Sequence, residues 1–194
     1  MKNVFLISVL LSAFLGACTP AMQKSELFME LPDDCPTPDG MAIAPNGDLI
    51  LACPNFADLS KPACLMRITK DGKISKWMNV PILEETGWAA PMGITFDDEG
   101  NLFICDNQGW SGAEKARNKG RILCLKLDGY ELKEVIEVAT GMEHPNGIRF
   151  RNGKLYVTQS SLSSIQVGCC GPATKECACT ECASYEMSKQ KSGL

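Results

Sequence analysis

An internal repeat of 53 residues constrains the fold of this chain more than any other feature of its sequence. Three segments, which begin at Pro38, Pro91 and Pro145, share a short apolar stretch, a glycine turn and a second apolar stretch. Corresponding residues of successive segments lie 53 positions apart: Gly47, Gly100 and Gly153 in the turns, and Leu49, Leu102 and Leu155 after them. Two apolar strands around a glycine turn predict a β-hairpin, and a hairpin that returns at a fixed period predicts a repeat architecture.

Each of the first two hairpins is followed by a second one. The additional predicted strands span residues 64–69 and 74–78 in the first unit, and residues 121–127 and 131–138 in the second, with Asp-Gly in both turns. A four-stranded antiparallel meander of this kind is the blade of a β-propeller. A β-sandwich is the alternative, although a sandwich does not repeat at a fixed period. We therefore predict an all-β fold with about two and a half propeller blades in residues 37–165.

Several motifs in the second and third repeats resemble those of a known family. They are His144-Pro145-Asn146-Gly147-Ile148, Gly153-Lys154-Leu155-Tyr156-Val157-Thr158, and Pro91-Met92-Gly93-Ile94 with the later Asp106-Asn107. The chain is similar in these motifs to the six-bladed propellers of the gluconolactonase and regucalcin (senescence marker protein) family, and the resemblance covers residues 36–164. It implies a metal-dependent hydrolase of lactones or related esters, with a lactone or sugar-derived small molecule as substrate.

The repeat also predicts where a site would lie. The residues just before the first glycine of each repeat begin the innermost strands, which meet at one end of a propeller channel; these residues are Asp39, Met92 and Asn146. Carboxylate and amide oxygens suit Ca²⁺ or Mg²⁺, whereas the thioether of Met92 does not. The resemblance implies a divalent metal, Ca²⁺, at these positions, because Asn146 matches the family's Asn and Asp39 stands where the family carries Glu. Turn roles for Asp39 and Asn146 stay open.

His144 and Asp106 are the candidate catalytic residues. An ester that is polarised by a metal needs a nearby group to activate water. His144 precedes the third inner strand, and Asp106 ends an apolar strand at the same predicted end of a blade. A packing role for His144 and a turn role for Asp106 stay open. A second function class also stays open, in which a lipid-anchored propeller binds a sugar or a protein without turnover.

The N-terminal residues have the pattern of an export signal. Lys2 precedes an apolar run of about twelve residues, which is too short to span a bilayer and typical of a signal peptide. Leu15-Gly16-Ala17-Cys18 resembles the bacterial lipobox, in which the cysteine is acylated and becomes the mature N-terminus. We predict a signal peptide in residues 1–17, a tether in residues 18–36, and an exported protein anchored by lipid to a bacterial membrane. A cleaved signal without acylation is the alternative.

Composition excludes two further classes of site. The formal net charge is −4, and a nucleic-acid partner would require a basic face that neutralises phosphates. The chain contains one histidine, which excludes a zinc site built from two or three histidines. The remaining predicted partner is a second copy of the chain, through the open edges of the blades.

Eleven cysteines are present, and five of them fall within residues 169–182. The repeat pattern fails in this tail, residues 166–194, for which three interpretations compete: an out-of-frame end of a truncated chain, a soft-metal cluster, or a disulfide-tied cap. On the first, the chain is expected to be inactive or weakly active. Spacing leaves two disulfides open, Cys53 with Cys64 and Cys105 with Cys124.

Acylation of Cys18 is directly testable. The mature N-terminal peptide of the membrane fraction is expected to carry acyl chains on Cys18, and Cys18→Ala is expected to release the protein from that fraction, because a lipid chain supplies the membrane affinity. Mass spectrometry of both proteins measures this. A parent protein with an unmodified Cys18 would contradict the prediction.

Overall fold

The computed structural model describes residues 24–160 and the strand Ile165–Cys169. The chain divides into two units, Met1–Glu30 and Leu31–Leu194. Residues 24–30 of the first unit form neither helix nor strand. The predicted signal peptide, Cys18 and residues 170–194 lie outside the described part. None of the described segments forms a helix with the length and apolar character needed to span a bilayer.

The described part of the second unit contains eleven strands in three antiparallel sheets, which we number as blades. Blade 1 contains β1 (Met41–Ile43), β2 (Leu49–Cys53), β3 (Cys64–Ile68) and β4 (Ile74–Asn79). Blade 2 contains β5 (Pro91–Phe96), β6 (Leu102–Asp106), β7 (Gly120–Asp128) and β8 (Glu131–Met142). Blade 3 contains β9 (Pro145–Arg151), β10 (Lys154–Gln159) and β11 (Ile165–Cys169). Two short 3-10 helices, Gln108–Ser111 and Glu114–Ala116, follow β6.

The glycine turns of the repeat close the first hairpin of every blade, as predicted. Gly47 and Gly100 have φ angles of +89° and +85°, and in the third turn both Asn152 and Gly153 have positive φ, at 52° and 72°. Glycine and asparagine adopt this left-handed backbone most readily. The all-β fold with four-stranded antiparallel meanders is therefore confirmed, and blades 1 and 2 are consecutive meanders in strand order.

The first strands of the three blades lie side by side, β1 against β5 and β5 against β9. At Gly40, an added Cβ would meet the carbonyl oxygen of Met92 and would lie 2.8 Å from the Cα of Gly93. At Gly93, it would meet the carbonyl oxygen of Asn146 and would lie 3.1 Å from the Cα of Gly147. These distances are shorter than side chains tolerate, so glycine lets neighbouring backbones touch without a hydrogen bond between them.

Apolar side chains fill the two spaces between the blades. Alternate residues along each strand face one neighbour, because the side-chain period of a strand is two. Small residues near the glycine contacts, Ala42, Ala44 and Ala52, pack with the larger Ile50, Leu65, Leu102 and Leu123 between blades 1 and 2. A second cluster between blades 2 and 3 contains Met92, Phe103, Ile122, Ile148 and Val157. Blade 2 thus packs apolar side chains on both of its faces, and blades 1 and 3 each pack one face against it.

A disulfide joins Cys35 to Cys53 and covers the other face of blade 1. Neither of the two pairings that the spacing left open forms: Cys64, which lies opposite Cys53 in the strand register, is a free thiol, and so are Cys105 and Cys124. Cys53 instead forms its disulfide with Cys35, which lies in the segment before β1. Leu31 and Cys35 of this segment pack on the face of blade 1 that carries Cys53. The end of the predicted tether therefore belongs to the compact unit.

Blade 3 extends past its predicted limit at residue 165. The strand β11 pairs with β10 from Thr158↔Ile165 to Lys154↔Cys169. An unpaired strand edge offers amide and carbonyl groups to any adjacent segment. Pairing of this kind does not require alternating apolar residues, so the sequence pattern did not indicate it.

Blades 1 and 2 are also joined by a charged cluster at the turn end of the inner strands. Asp48 is largely buried and accepts hydrogen bonds from Arg67 Nε at 2.7 Å and from Tyr130 Oη at 2.8 Å. The guanidinium of Arg67 lies 3.7 Å from the centre of the Tyr130 ring, and Trp77 Nε1 donates to the carbonyl of Tyr130 at 3.0 Å. The seam between these blades therefore combines a cation–π contact with a partly buried ion pair.

The glycine contact predicts a specific mutational effect. Gly93→Ala is expected to reduce the free energy of unfolding by roughly 1–3 kcal/mol, because its Cβ meets fixed backbone atoms. Gly147→Ala is the matched control, since its Cβ would meet the Thr158 hydroxyl, a side-chain atom that can move. Urea unfolding measures both. Equal losses in the two variants would contradict the assigned role of Gly93.

Asp48 predicts an acid dependence of stability. Hydrogen bonds from Asn46 and Tyr130, together with the ion pair to Arg67, lower the pKa of Asp48 from 3.8 to about 2. A lowered pKa in the folded state stabilises the fold above pH 3.8, and this contribution is lost as the pH falls toward 2. Asp48→Asn is therefore expected to unfold with a flatter pH dependence over that interval, and Tyr130→Phe with an intermediate one. Circular dichroism during acid titration measures this; identical curves for the three proteins would exclude it.

Candidate functional site

The starts of the three inner strands lie at one level of the structure. Gly40 packs on the backbone of Met92 and Gly93, and Gly93 packs on that of Asn146 and Gly147. The preceding residues, Asp39, Met92 and Asn146, are thus neighbours along the three strands. Met92 points into the core between blades 2 and 3, which leaves the oxygen-bearing Asp39 and Asn146 as candidates.

The ends of the second strands lie beside these starts. The amide of Asn107 donates to the carbonyl of Ala90 at 2.8 Å, and the amide of Ser160 donates to the carbonyl of His144 at 2.9 Å. Asn107 and Ser160 are 53 residues apart and occupy equivalent positions. Asn146 Nδ2 donates to Ser160 Oγ at 3.0 Å. The Oδ1 atom is the acceptor of the same side chain.

Asn107 is a further candidate, which the sequence placed in a family motif but did not mark as a ligand. Its side chain is buried, and its Oδ1 has no hydrogen-bond partner among the described residues. Buried polar atoms are almost always paired, so an unpaired amide oxygen beside the inner strand starts is a notable feature. The available signal was its position in the repeat, one residue past the end of a second strand, but Pro54 at the equivalent position in blade 1 conceals it.

Asp39 supplies a carboxylate at this level. Partial burial raises its pKa above the usual range, and the hydrogen bond from the Gly40 amide opposes that rise. Its charge is also felt by the Cys105 thiol, whose pKa is raised by burial first and by Asp106 and Asp39 after that. Within residues 24–160, no three histidine, cysteine, aspartate or glutamate side chains are grouped to hold a metal ion. Any site here must use amide oxygens beside Asp39.

Asp106 is fully buried and has both carboxylate oxygens occupied. It accepts hydrogen bonds from the Ala90 amide at 2.7 Å, from Gln108 Nε2 at 2.8 Å and from Arg121 Nε at 2.8 Å. Burial raises the pKa of Asp106, while these donors and the charge of Arg121 oppose the rise. A general base must lie within hydrogen-bonding reach of the proton that it removes. The described groups that bond to the Asp106 carboxylate are donors of the protein itself.

The same network extends into the loop between the first two blades. Arg121 Nη2 donates to the Pro81 carbonyl at 2.9 Å, and Arg121 Nη1 lies 3.1 Å from Glu137 Oε2. Thr86 Oγ1 donates to Gln108 Oε1 at 2.5 Å. The loop residues between Val80 and Ala90 are thereby fixed against the end of β6.

His144 lies against the 3-10 helix that follows Asn107. Its Nε2 is 3.1 Å from the carbonyl oxygen of Gly109, and its Nδ1 is 4.0 Å from Glu143 Oε1. A Cβ on Gly109 would lie 3.1 Å from the imidazole, so the absence of a side chain there permits this packing. The imidazole is partly exposed and adjoins the segment that carries both Asn107 and Asp106.

Aromatic side chains form a wall at this end of the blades. Trp110 stacks on Phe56 with ring centres 4.3 Å apart and meets Trp88 edge to face at 6.3 Å. Lys115 Nζ lies 4.6 Å from the centre of the Trp88 ring and donates to the Thr86 carbonyl at 2.5 Å. The wall and the Asp106 network share the loop that contains Thr86 and Trp88, so each fixes the other.

Among solved structures, the chain is similar to other all-β proteins at low identity. A gluconolactonase from Xanthomonas campestris is 17% identical, with a TM-score of 0.49, over 67% of this chain and 42% of that protein. Virginiamycin B lyase from Staphylococcus aureus is 22% identical, with a TM-score of 0.41, over 74% and 44%. Aldose sugar dehydrogenase from Streptomyces coelicolor is 20% identical, with a TM-score of 0.43, over 62% and 36%.

The chain therefore spans about two fifths of the length of the solved structures it matches. No protein-family model matches the chain, and no curated protein matches it.

Proposed function

We propose that the chain carries the site of a metal-dependent hydrolase that acts on lactones or related esters. The observation that carries this proposal is the buried, unpaired Oδ1 of Asn107, on a segment that lies beside the inner strand starts of Asp39 and Asn146. A buried amide oxygen without a donor is well suited to a cation, since a cation supplies the missing electrostatic partner. The motifs that resemble the gluconolactonase and regucalcin family support the same class of reaction.

The donor set fits a hard divalent ion. Asp39 offers a carboxylate, and Asn107 and Asn146 offer amide oxygens, which are ligands that Ca²⁺ accepts. The raised pKa of Asp39 is consistent with this role, because a cation would favour the ionised form that burial disfavours. One charge and three protein oxygens predict weak binding, since affinity in such sites follows the number and charge of the ligands. When bound, the ion would polarise the ester carbonyl and stabilise negative charge on its oxygen.

His144 is the proposed base for water. With the proton on Nε2, which lies 3.1 Å from the Gly109 carbonyl, Nδ1 is the basic nitrogen of the ring. The Gly109 contact then orients the imidazole as a carboxylate does in other catalytic pairs. The wall of Phe56, Trp88 and Trp110 supplies an apolar surface against which a small ring substrate would pack.

Export and lipid anchoring through Cys18 complete the proposal. They would place the site outside the cytoplasm, where the Cys35–Cys53 disulfide is chemically stable. The substrate would then be a small molecule that reaches the membrane surface, and self-association through open blade edges is a further part of the proposal.

Metal binding tests the proposal. Asn107→Ala and Asn146→Ala are each expected to raise the dissociation constant for Ca²⁺ by about tenfold or more, because each removes a ligand. Asp58→Ala is the matched control, since this carboxylate bonds to Ser60 on a different loop. Calorimetric titration with CaCl₂ measures binding, and circular dichroism checks that each variant is folded. Affinity that is unchanged in both asparagine variants would contradict the ligand assignment.

Turnover separates the two function classes. Hydrolysis of a glucono-lactone with and without CaCl₂ is expected to be metal-dependent and to be lost in His144→Gln with Ca²⁺ affinity retained. Ca²⁺ binding without hydrolysis would favour the lipid-anchored binding protein instead. Hydrolysis that is equal with a chelator present would exclude the metal-dependent reaction.

A further inference from the structure

We propose that Asp106 is a positioning residue, which with Arg121 holds the Asn107 oxygen and the start of β5 in the geometry of the metal site. This inference rests on the proposed function, because it concerns the same site. It replaces the interpretation of Asp106 as a base with a role that acts through its neighbours.

The first step is a reciprocal pair of hydrogen bonds around Ala90. Asp106 Oδ1 accepts from the Ala90 amide at 2.7 Å, and the next residue, Asn107, donates its amide to the Ala90 carbonyl at 2.8 Å. The amide and the carbonyl of Ala90 are therefore bonded to two consecutive residues, Asp106 and Asn107, at the end of β6. Ala90 directly precedes β5, so the side chain of Asp106 sets the spacing between the start of β5 and the backbone of Asn107.

The second step is that Asp106 is itself held in place. Arg121 donates through Nε to Asp106 Oδ2 and through Nη2 to the Pro81 carbonyl, so its guanidinium joins β7 to the loop before β5. Gln108 Nε2 contacts both carboxylate oxygens at 2.8 Å. Gln108 follows Asn107 directly, so Asn107 lies between two residues whose side chains are bonded to each other. The backbone of Asn107 is thus held on both sides, and its own amide is bonded to the Ala90 carbonyl.

The residues equivalent to Asp106 in the other two blades make similar bonds. Cys53, Asp106 and Gln159 are spaced by 53 residues, and each is the last residue of the second strand of its blade. Each bonds to the segment before the inner strand: Cys53 through its disulfide to Cys35, Asp106 to the Ala90 amide, and Gln159 Oε1 to the Glu143 amide at 2.7 Å. The last residue of the second strand thus bonds to the segment before the inner strand in all three blades. The bond is a disulfide in blade 1, a hydrogen bond to a carboxylate in blade 2 and a hydrogen bond to a side-chain amide oxygen in blade 3.

This recurrence distinguishes positioning from catalysis. A disulfide and a neutral amide cannot act as a base, yet both occupy the position that Asp106 occupies in blade 2. What the three share is a bond that fixes the start of an inner strand, where Asp39, Met92 and Asn146 stand. Blade 2 differs because its bond is an ion pair and because the next residue, Asn107, carries the unpaired oxygen.

The experiment compares the buried Asp106–Arg121 pair with a second, partly buried ion pair. Asp106→Ala with Arg121→Met removes both charges together, so that no charge is left buried without a partner. Asp48→Ala with Arg67→Met is the matched control, because that pair is bonded at 2.7 Å and lies at the other end of the second strand of its blade. Calorimetric titration with CaCl₂ measures affinity, and urea unfolding measures stability in the same preparations.

The expected result is a rise of about tenfold or more in the Ca²⁺ dissociation constant for the Asp106 and Arg121 double variant, as for other residues that orient metal ligands. The control double variant is expected to lose stability while its dissociation constant stays within about twofold of the parent. Asp106→Asn is expected to bind with intermediate affinity, since its amide oxygen still accepts from Ala90, and it serves in place of the double variant if that protein does not fold.

Two outcomes would overturn the inference in different ways. If the parent binds Ca²⁺ and both Asp106 variants bind it as tightly, or if the control weakens binding by the same factor, Asp106 contributes to stability alone and the proposed function stands. If the parent does not bind Ca²⁺, the metal site and the positioning role fail together.

Discussion

The contact between the backbones of neighbouring inner strands is the constraint on which the rest of the structure depends. Gly40 and Gly93 let β1, β5 and β9 approach without side chains between them, and any Cβ there would meet fixed backbone atoms. Small alanines beside these glycines then permit the larger leucines and isoleucines of the outer strands to meet between the blades. Because the strand starts are held at one level, the polar residues Asp39 and Asn146 that precede two of them occupy the same end of the inner strands although they are far apart in the sequence.

The residues at the ends of the second strands add a further layer to this arrangement. A strand that begins after a long loop is free to slide unless a specific bond holds its first residue, since loop residues supply no regular ladder. In blade 2 this bond involves a buried ion pair, which costs desolvation energy and gives little net stability. Its retention is understandable where orientation matters more than stability, because several donors at fixed angles restrict a side chain more than apolar packing does.

Much of this architecture was predictable from the sequence. The glycine turns and the alternation of apolar residues indicated the hairpins of blades 1 and 2, because both features follow from local backbone preferences. The partners of Cys53, Asp106 and Arg121 were not predictable, since Cys35, Ala90 and Pro81 lie in loops without periodicity. Asn107 stood in a motif of the family resemblance, but its unpaired oxygen depends on the absence of a donor among its described neighbours in three dimensions. The strand β11 was missed because edge pairing uses backbone groups that every residue carries.

Proline at position 54 has a consequence for the first blade. Asn107 and Ser160 donate amide hydrogens to the segment before their inner strands, but a proline at the equivalent position has no amide hydrogen to give. The covalent link between Cys35 and Cys53, which closes a loop with a sequence separation of 18, takes over that task. Reduction of this disulfide would remove that attachment, while the hydrogen bond from the Asp39 amide to the Ala52 carbonyl, at 2.9 Å, does not depend on it. The reduction potential of the surroundings therefore affects how firmly the segment in front of Asp39 is held.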